Sequence, residues 1–107
     1  MNTLDDRVLA WPLSHEPGQP RAYKVVYPSG RTEPEPASHD GFQRVYVLSG
    51  RLRLVLGAED LTLTRGETAE FDTRIPHWLG STGDGAVEAL VLFGQWGERP
   101  RLRISFQ

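Results

Sequence analysis

No window of twelve residues in this chain keeps an apolar stripe at helical spacing without a glycine or proline breaking it. Proline removes a backbone donor and clashes with the preceding turn, and glycine costs roughly 1 kcal/mol relative to alanine in a helix interior. Helices of ordinary length therefore have nowhere to form. The period that does recur is two. In the run Arg51-Leu-Arg-Leu-Val-Leu, Leu52, Leu54 and Leu56 share one face, and Arg51 and Arg53 take the other. Leu61 and Leu63 alternate with Thr62 and Thr64, and Leu102, Ile104 and Phe106 alternate with Arg101, Arg103 and Ser105. Each run reads as a strand with one buried and one wet face.

The alternation predicts strands over 23–27, 44–48, 52–56, 60–64, 68–71, 77–81, 86–93 and 101–106. Turn residues separate them, and Ser49-Gly50, between two strongly β-forming runs, is expected to close a tight hairpin. Gly50 and Gly66 read as turn positions with positive φ. Short strands at this spacing predict an all-β sandwich or barrel, of which a jelly roll best hides its sheet edges. At 107 residues the chain is sized for one domain, expected as a barrel over residues 21–107 preceded by an N-terminal arm or edge strand over residues 1–20. Residues 31–39 form the one long polar loop, stiffened by its prolines.

Composition removes several functions. The net charge is −2, Lys24 is the lone lysine, and no basic tract appears, so direct nucleic-acid binding by this domain is not expected. No apolar run approaches a membrane span, and the acidic start lacks the apolar segment of a signal peptide. With no cysteine, disulfides, thiolate metal sites and cysteine nucleophiles are all absent. That pattern suits a cytoplasmic protein, and any metal must be held by His, carboxylate, amide or water.

Of the three histidines, His15 reads as a surface-loop residue. His39 ends the polar loop, and His77 heads a strand after Pro76. Gln43 shares a strand face with Val45 and Val47, which sets it near one end of the framework with His39 just outside the strand.

Residues 43–57 (QRVYVLSGRLRLVLG) and 66–79 (GETAEFDTRIPHWL) resemble the two sequence motifs of the cupin superfamily. Counting back from Gly50, the motif's glutamate position falls on Gln43, its second histidine on His39 and its first on Ala37. Counting on from Gly66, the proline position falls on Asp72, the glycine on Arg74, the histidine on His77 and the asparagine on Ser81. The spacing is kept while several identities are not. Residues 46–57, 69–78 and 92–99 further resemble the C-terminal cupin domain of XRE-type helix-turn-helix transcription regulators of actinobacteria. No helix-turn-helix part is present, which leaves a stand-alone relative or a fragment of a longer regulator.

The resemblance implies a double-stranded β-helix (jelly-roll barrel, cupin or RmlC-like) with a divalent metal inside, held here by His39, Gln43 and His77. Imidazoles suit Zn²⁺ or Ni²⁺, and the missing carboxylate disfavours Fe²⁺. The alternative is a pair of neutral histidines hydrogen-bonded in a polar cavity. Tyr46, Phe71, Trp78 and Phe93 are candidate pocket aromatics for a small-molecule ligand, although core packing is their plainer role. Arg44 and Arg74 are candidates to neutralise an anionic ligand. Three functional readings stay open: a ligand-sensing module related to transcription regulators, a small metal-dependent enzyme such as a dioxygenase or isomerase, and a purely structural or dimerisation module with an empty pocket. A homodimer is expected, with residues 4–13 crossing to the partner.

Overall fold

Alternation becomes pairing throughout. The structure, a computed structural model, describes residues 2–5, 8–13, 21–94 and 101–106. These form ten strands and no helix: β1 (Asn2–Asp5), β2 (Val8–Pro12), β3 (Arg21–Tyr27), β4 (Phe42–Ser49), β5 (Leu52–Leu56), β6 (Glu59–Leu63), β7 (Glu67–Asp72), β8 (His77–Ser81), β9 (Val87–Gly94) and β10 (Leu102–Phe106). A seven-stranded sheet runs β1-β2-β3-β9-β4-β7-β10, and a three-stranded sheet runs β6-β5-β8. Every strand pair is antiparallel. The eight strands read from the sequence are all present, and the all-β fold class holds.

Both sheets turn their apolar faces inward. Leu52, Leu54 and Leu56 of β5 are completely buried, as are Val45, Val47, Ala69, Phe71, Val87 and Ala89 from the large sheet. Burying a leucine or phenylalanine side chain contributes roughly 1.5–3 kcal/mol, so this layer, not the surface charges, holds the sheets together. Arg53 and Asp60, by contrast, stand on the outer face of the small sheet, with the guanidinium donating to both carboxylate oxygens at 3.0 and 2.7 Å.

One expectation fails. Ser49-Gly50 closes no hairpin, because β4 and β5 belong to different sheets. The chain turns a corner there instead. The register of β4 against β9 slips between Val47 and Ser49, and Gly50 adopts φ 85°. A Cβ at Gly50 would come within 2.5 Å of the Ala86 carbonyl oxygen, so the corner needs glycine for space as well as for φ. Gly66, at φ 88°, is the turn glycine the sequence indicates. The two-residue hairpin lies one strand later, at Gly57-Ala58, where Leu56 pairs with Glu59.

Over the described residues the N-terminal segment extends the large sheet. β2 pairs with β3 from Leu9↔Val26 to Pro12↔Tyr23, and the Leu13 amide donates to the Ala22 carbonyl at 2.8 Å. Pro12, which has no amide to give, closes the strand. His15 and the 95–99 part of the regulator-like string lie outside the described residues. No helix among the described residues is long and apolar enough to cross a membrane.

Leu54→Ala is expected to cost about 2–5 kcal/mol by leaving a cavity between the sheets. Leu90→Ala, on the outer face of β9, should cost about 1 kcal/mol or less. Urea unfolding of both variants checks the contrast; equal losses would contradict the assignment of faces.

Candidate functional site

The site is assembled at one end of the sandwich by a turn and a strap. The turn joins β7 to β8. The Asp72 carboxylate accepts from the Arg74 backbone amide at 2.9 Å, and from the Arg74 guanidinium at 3.0 Å (Nε) and 2.6 Å (Nη2). The Ile75 amide donates to the Asp72 carbonyl at 3.2 Å. This fixes the Ile75 carbonyl, which lies 2.9 Å from Nδ1 of His77. A carbonyl only accepts, so the contact puts the proton of the neutral ring on Nδ1 and leaves Nε2 with a free lone pair.

The strap is the polar loop. Ala37 forms an antiparallel bridge with His77, with amide-to-carbonyl bonds of 3.1 and 2.9 Å in the two directions. The His39 amide then donates to the Thr73 carbonyl at 2.9 Å, and the Thr73 amide donates to the Gly41 carbonyl at 3.2 Å. The loop thus runs as an extra extended segment beside β8. It sets the His39 ring 5.1 Å from the His77 ring, centre to centre and nearly edge-on at 78°. Nδ1 of His39 faces the Asp40 carbonyl at 3.3 Å. Gly41, at φ 118°, ends the strap, and a Cβ there would run into the Gly94 carbonyl oxygen.

Gln43, only 3% exposed, pairs across to Phe71 on β7 and Phe93 on β9. Its side chain makes no hydrogen bond to a described residue. The Phe71 ring lies 5.3 Å from His77, and the Phe93 ring lies 6.3 Å from His39. Tyr23 meets the edge of Phe93 at 5.9 Å. The result is a mouth with His39 at its exposed rim, His77 buried behind it, a buried amide, and aromatic walls. Burial lowers the His77 pKa below its ordinary 6.5. The nearby His39 ring pushes the same way, and the Ile75 carbonyl opposes both. His77 is therefore neutral at physiological pH, as a ligand imidazole must be.

The structure brings His39, Gln43, His77, Phe71 and Phe93 together, and it does not bring Tyr46 or Trp78 to them. Tyr46 lies on the outer face of the large sheet, in a groove with Arg44, Thr68, Glu70 and Ser105. Trp78 lies on the outer face of the small sheet, where Arg53 sits 5.9 Å from its ring centre and its ring covers Gly80. Both are one residue off the inward parity, since neighbours on a strand point to opposite faces. Arg44 is paired with Glu70 at 2.8 Å, and Arg74 with Asp72, so both arginines are already engaged. Ala37, at the first histidine position of the motif, faces His77 across the bridge and offers no donor. Tyr23 was absent from the candidate pocket. Its alternation with Val25 and Tyr27 was the signal that places it inward.

Two antiparallel sheets closing on a histidine-bearing mouth define a double-stranded β-helix barrel. The chain belongs to the Cupin_2 family, described as a cupin domain, whose sequence model matches residues 23–93. None of the curated proteins matches the chain. Among solved structures, protein YlbA from E. coli superimposes with a TM-score of 0.76 at 13% identity, covering 94% of this chain and 45% of that one. The chain thus spans less than half of the YlbA length. The Cupin_2 domain of an XRE family transcriptional regulator from Enterobacter cloacae gives a TM-score of 0.69 at 18% identity, covering 85% of this chain and 98% of that domain. HppE, solved with Co(II) and Tris buffer, gives 0.72 at 18% identity over 87% of this chain and 60% of its own. At these identities the likeness is one of fold.

The lowered His77 pKa carries a sign. Above pH 6.5 the ring is neutral in both folded and unfolded chains and adds no pH dependence. As pH falls below that value the unfolded chain takes up the proton first, so stability drops, and the loss is complete below the folded pKa. Melting temperatures of metal-stripped protein between pH 8 and 5 should fall with pH, and the fall should be shallower in His77→Asn. An unchanged slope in the variant would contradict the burial of His77.

Proposed function

We propose that this cupin domain binds a small organic ligand at the barrel mouth, over a divalent metal held by His39 and His77, and signals that binding without converting the ligand. The observation that carries the reading is the pair of imidazoles 5.1 Å apart, each with Nδ1 turned to a backbone carbonyl. Metal-binding histidines commonly have their second nitrogen held in this way, which orients the ring and fixes the tautomer.

The donor set fits a borderline ion. Two imidazoles suit Zn²⁺ or Ni²⁺, with the Gln43 amide oxygen as a weak, uncharged third donor and water or ligand completing the shell. Fe²⁺ fits less well, because the two-histidine, one-carboxylate set that iron oxygenases use lacks its carboxylate. When bound, the ion supplies a Lewis-acidic point for an oxygen or nitrogen of the ligand. The chain's own residues do the rest: Phe71, Phe93 and Tyr23 offer apolar walls, and Gln43 offers an amide able both to donate and to accept.

Two further facts favour sensing over turnover. Among the described residues no third His, Cys, Asp or Glu completes a metal group with the two histidines, and Asp72, in the adjoining turn, is tied to Arg74. The regulator-like strings, including their resemblance to actinobacterial proteins, and the shared fold of the Enterobacter cloacae regulator domain support the same role, in a cytoplasmic setting.

Elemental analysis and calorimetry test the reading. Purified protein is expected to bind Zn²⁺ or Ni²⁺, His77→Ala to abolish binding, and Gln43→Glu to tighten it about tenfold, ~1.4 kcal/mol. Metal affinity indifferent to His77 would overturn the site. Oxygen uptake or isomerisation with a small carbonyl or phenolic compound would replace sensing by catalysis.

A further inference from the structure

The strap that carries His39 is weakly secured for an element that holds half of a site. Residues 31–40 are exposed except for the half-buried Pro34, so docking the strap removes little apolar surface from water. Four backbone hydrogen bonds hold its far end. Ala37 and His77 exchange two, at 3.1 and 2.9 Å. Thr73 accepts one from the His39 amide at 2.9 Å and gives one to the Gly41 carbonyl at 3.2 Å. Against them stands the entropy of ordering the whole segment. The net gain from one backbone bond is of the same order as the cost of fixing one residue. Glycines in the left-handed region flank the strap, Gly30 at φ 106° and Gly41 at φ 118°, and a loop can swing on such end points.

Thr73, beneath the strap's end, shifts the balance further. It is 0% exposed, and its hydroxyl has no hydrogen-bond partner among the described residues. Both backbone groups of Thr73 bond to the strap, and its Oγ1 lies 3.7 Å from the position a Cβ on Gly41 would take. The docked strap therefore covers a hydroxyl that water would satisfy once the strap lifts. A buried polar group left without a partner costs more than a typical hydrogen bond gains, and a methyl group of the same shape carries no such cost.

We propose that the strap is the moving part of the mouth, and that the buried Thr73 hydroxyl holds its docked and lifted forms near balance until an ion joins His39 to His77. This rests on the metal site proposed above: an ion on both rings ties the exposed strap to the buried start of β8 and favours the docked form by its own affinity for it. With the strap lifted, His77 stays in the mouth and His39 leaves it. Occupancy of the mouth is thereby converted into the order of residues 31–41 at the surface, where a partner can read it. Thr73 is a positioning residue here, acting on the ion only through the strap.

Amide hydrogen exchange and Zn²⁺ calorimetry on the full chain test it. Without metal, the Ala37 and His39 amides are expected to exchange within about tenfold of free-peptide rates, while the paired amides of β5 are protected far more strongly. Saturating Zn²⁺ should slow the two strap amides by about tenfold or more. Thr73→Val should slow them about tenfold in the metal-free chain. Its Zn²⁺ affinity should rise about twofold, the ceiling for a strap docked about half of the time. Thr73→Ser, which keeps the hydroxyl, should gain neither. Ala37→Pro lacks the amide that bonds to His77, and should bind Zn²⁺ several-fold more weakly with an unchanged circular dichroism spectrum. A native chain that binds no Zn²⁺ removes the metal site and the moving strap together. Zn²⁺ binding with strap amides already as protected as those of β5, or unmoved by Thr73→Val, overturns the moving strap alone and leaves the site standing.

Discussion

The site depends on a short stretch of backbone pairing between a polar loop and the start of β8. Two amide–carbonyl bonds tie Ala37 to His77, and one ties His39 to Thr73. They convert a segment with no strand pattern of its own into a fixed extended strap. The prolines at 34 and 36 hold the loop extended before it pairs, which reduces the conformational entropy lost on docking. Gly41 lets the chain leave the strap where a side chain would strike Gly94. Without these bonds the rim histidine would have no reason to lie beside the buried one, thirty-eight positions further along the sequence.

Within this frame, the arginines of the sheet faces and of the turn are each paired with a carboxylate. Arg44 pairs with Glu70, Arg53 with Asp60, and Arg74 with Asp72. Each pair has one partner open to solvent, and ion pairs screened in this way contribute about 0–1 kcal/mol each, so they do little for stability. They do engage arginines that stand near the mouth or on the sheet faces. The Asp72–Arg74 pair has a second role, since it shapes the turn whose carbonyl orients His77. Two imidazoles and an amide lie among aromatic side chains there, and an added cation would be the dominant local charge.

Much of this was legible in the sequence, because period-two alternation is a local signal. The leucines of β5, the Gln43–Val45–Val47 face and the Leu102–Ile104 face all follow from parity. The same parity excluded Tyr46 and Trp78 from the mouth and admitted Tyr23, so those misplacements came from weighing aromatic character above position. What the residues did not carry was non-local. Nothing around Ser49-Gly50 says that β4 and β5 part into different sheets; that follows from which strands compete to pair with each. Nor does the loop sequence show that Ala37 bridges His77. The family spacing brought His39 and His77 together before any backbone bond explained why.

The His39 and His77 rings converge at the mouth, and His77 presents a bare Nε2 there. Long-range nitrogen–proton NMR of the histidine side chains tests this most directly, because it reads each ring's tautomer and its response to Zn²⁺ in one experiment. The expected result is a neutral His77 protonated on Nδ1, ring-to-ring Overhauser contacts between His39 and His77, and Nε2 signals from both that shift together as the ion is added. A His77 protonated on Nε2, or a Zn²⁺ response from one of these rings without the other, would contradict it.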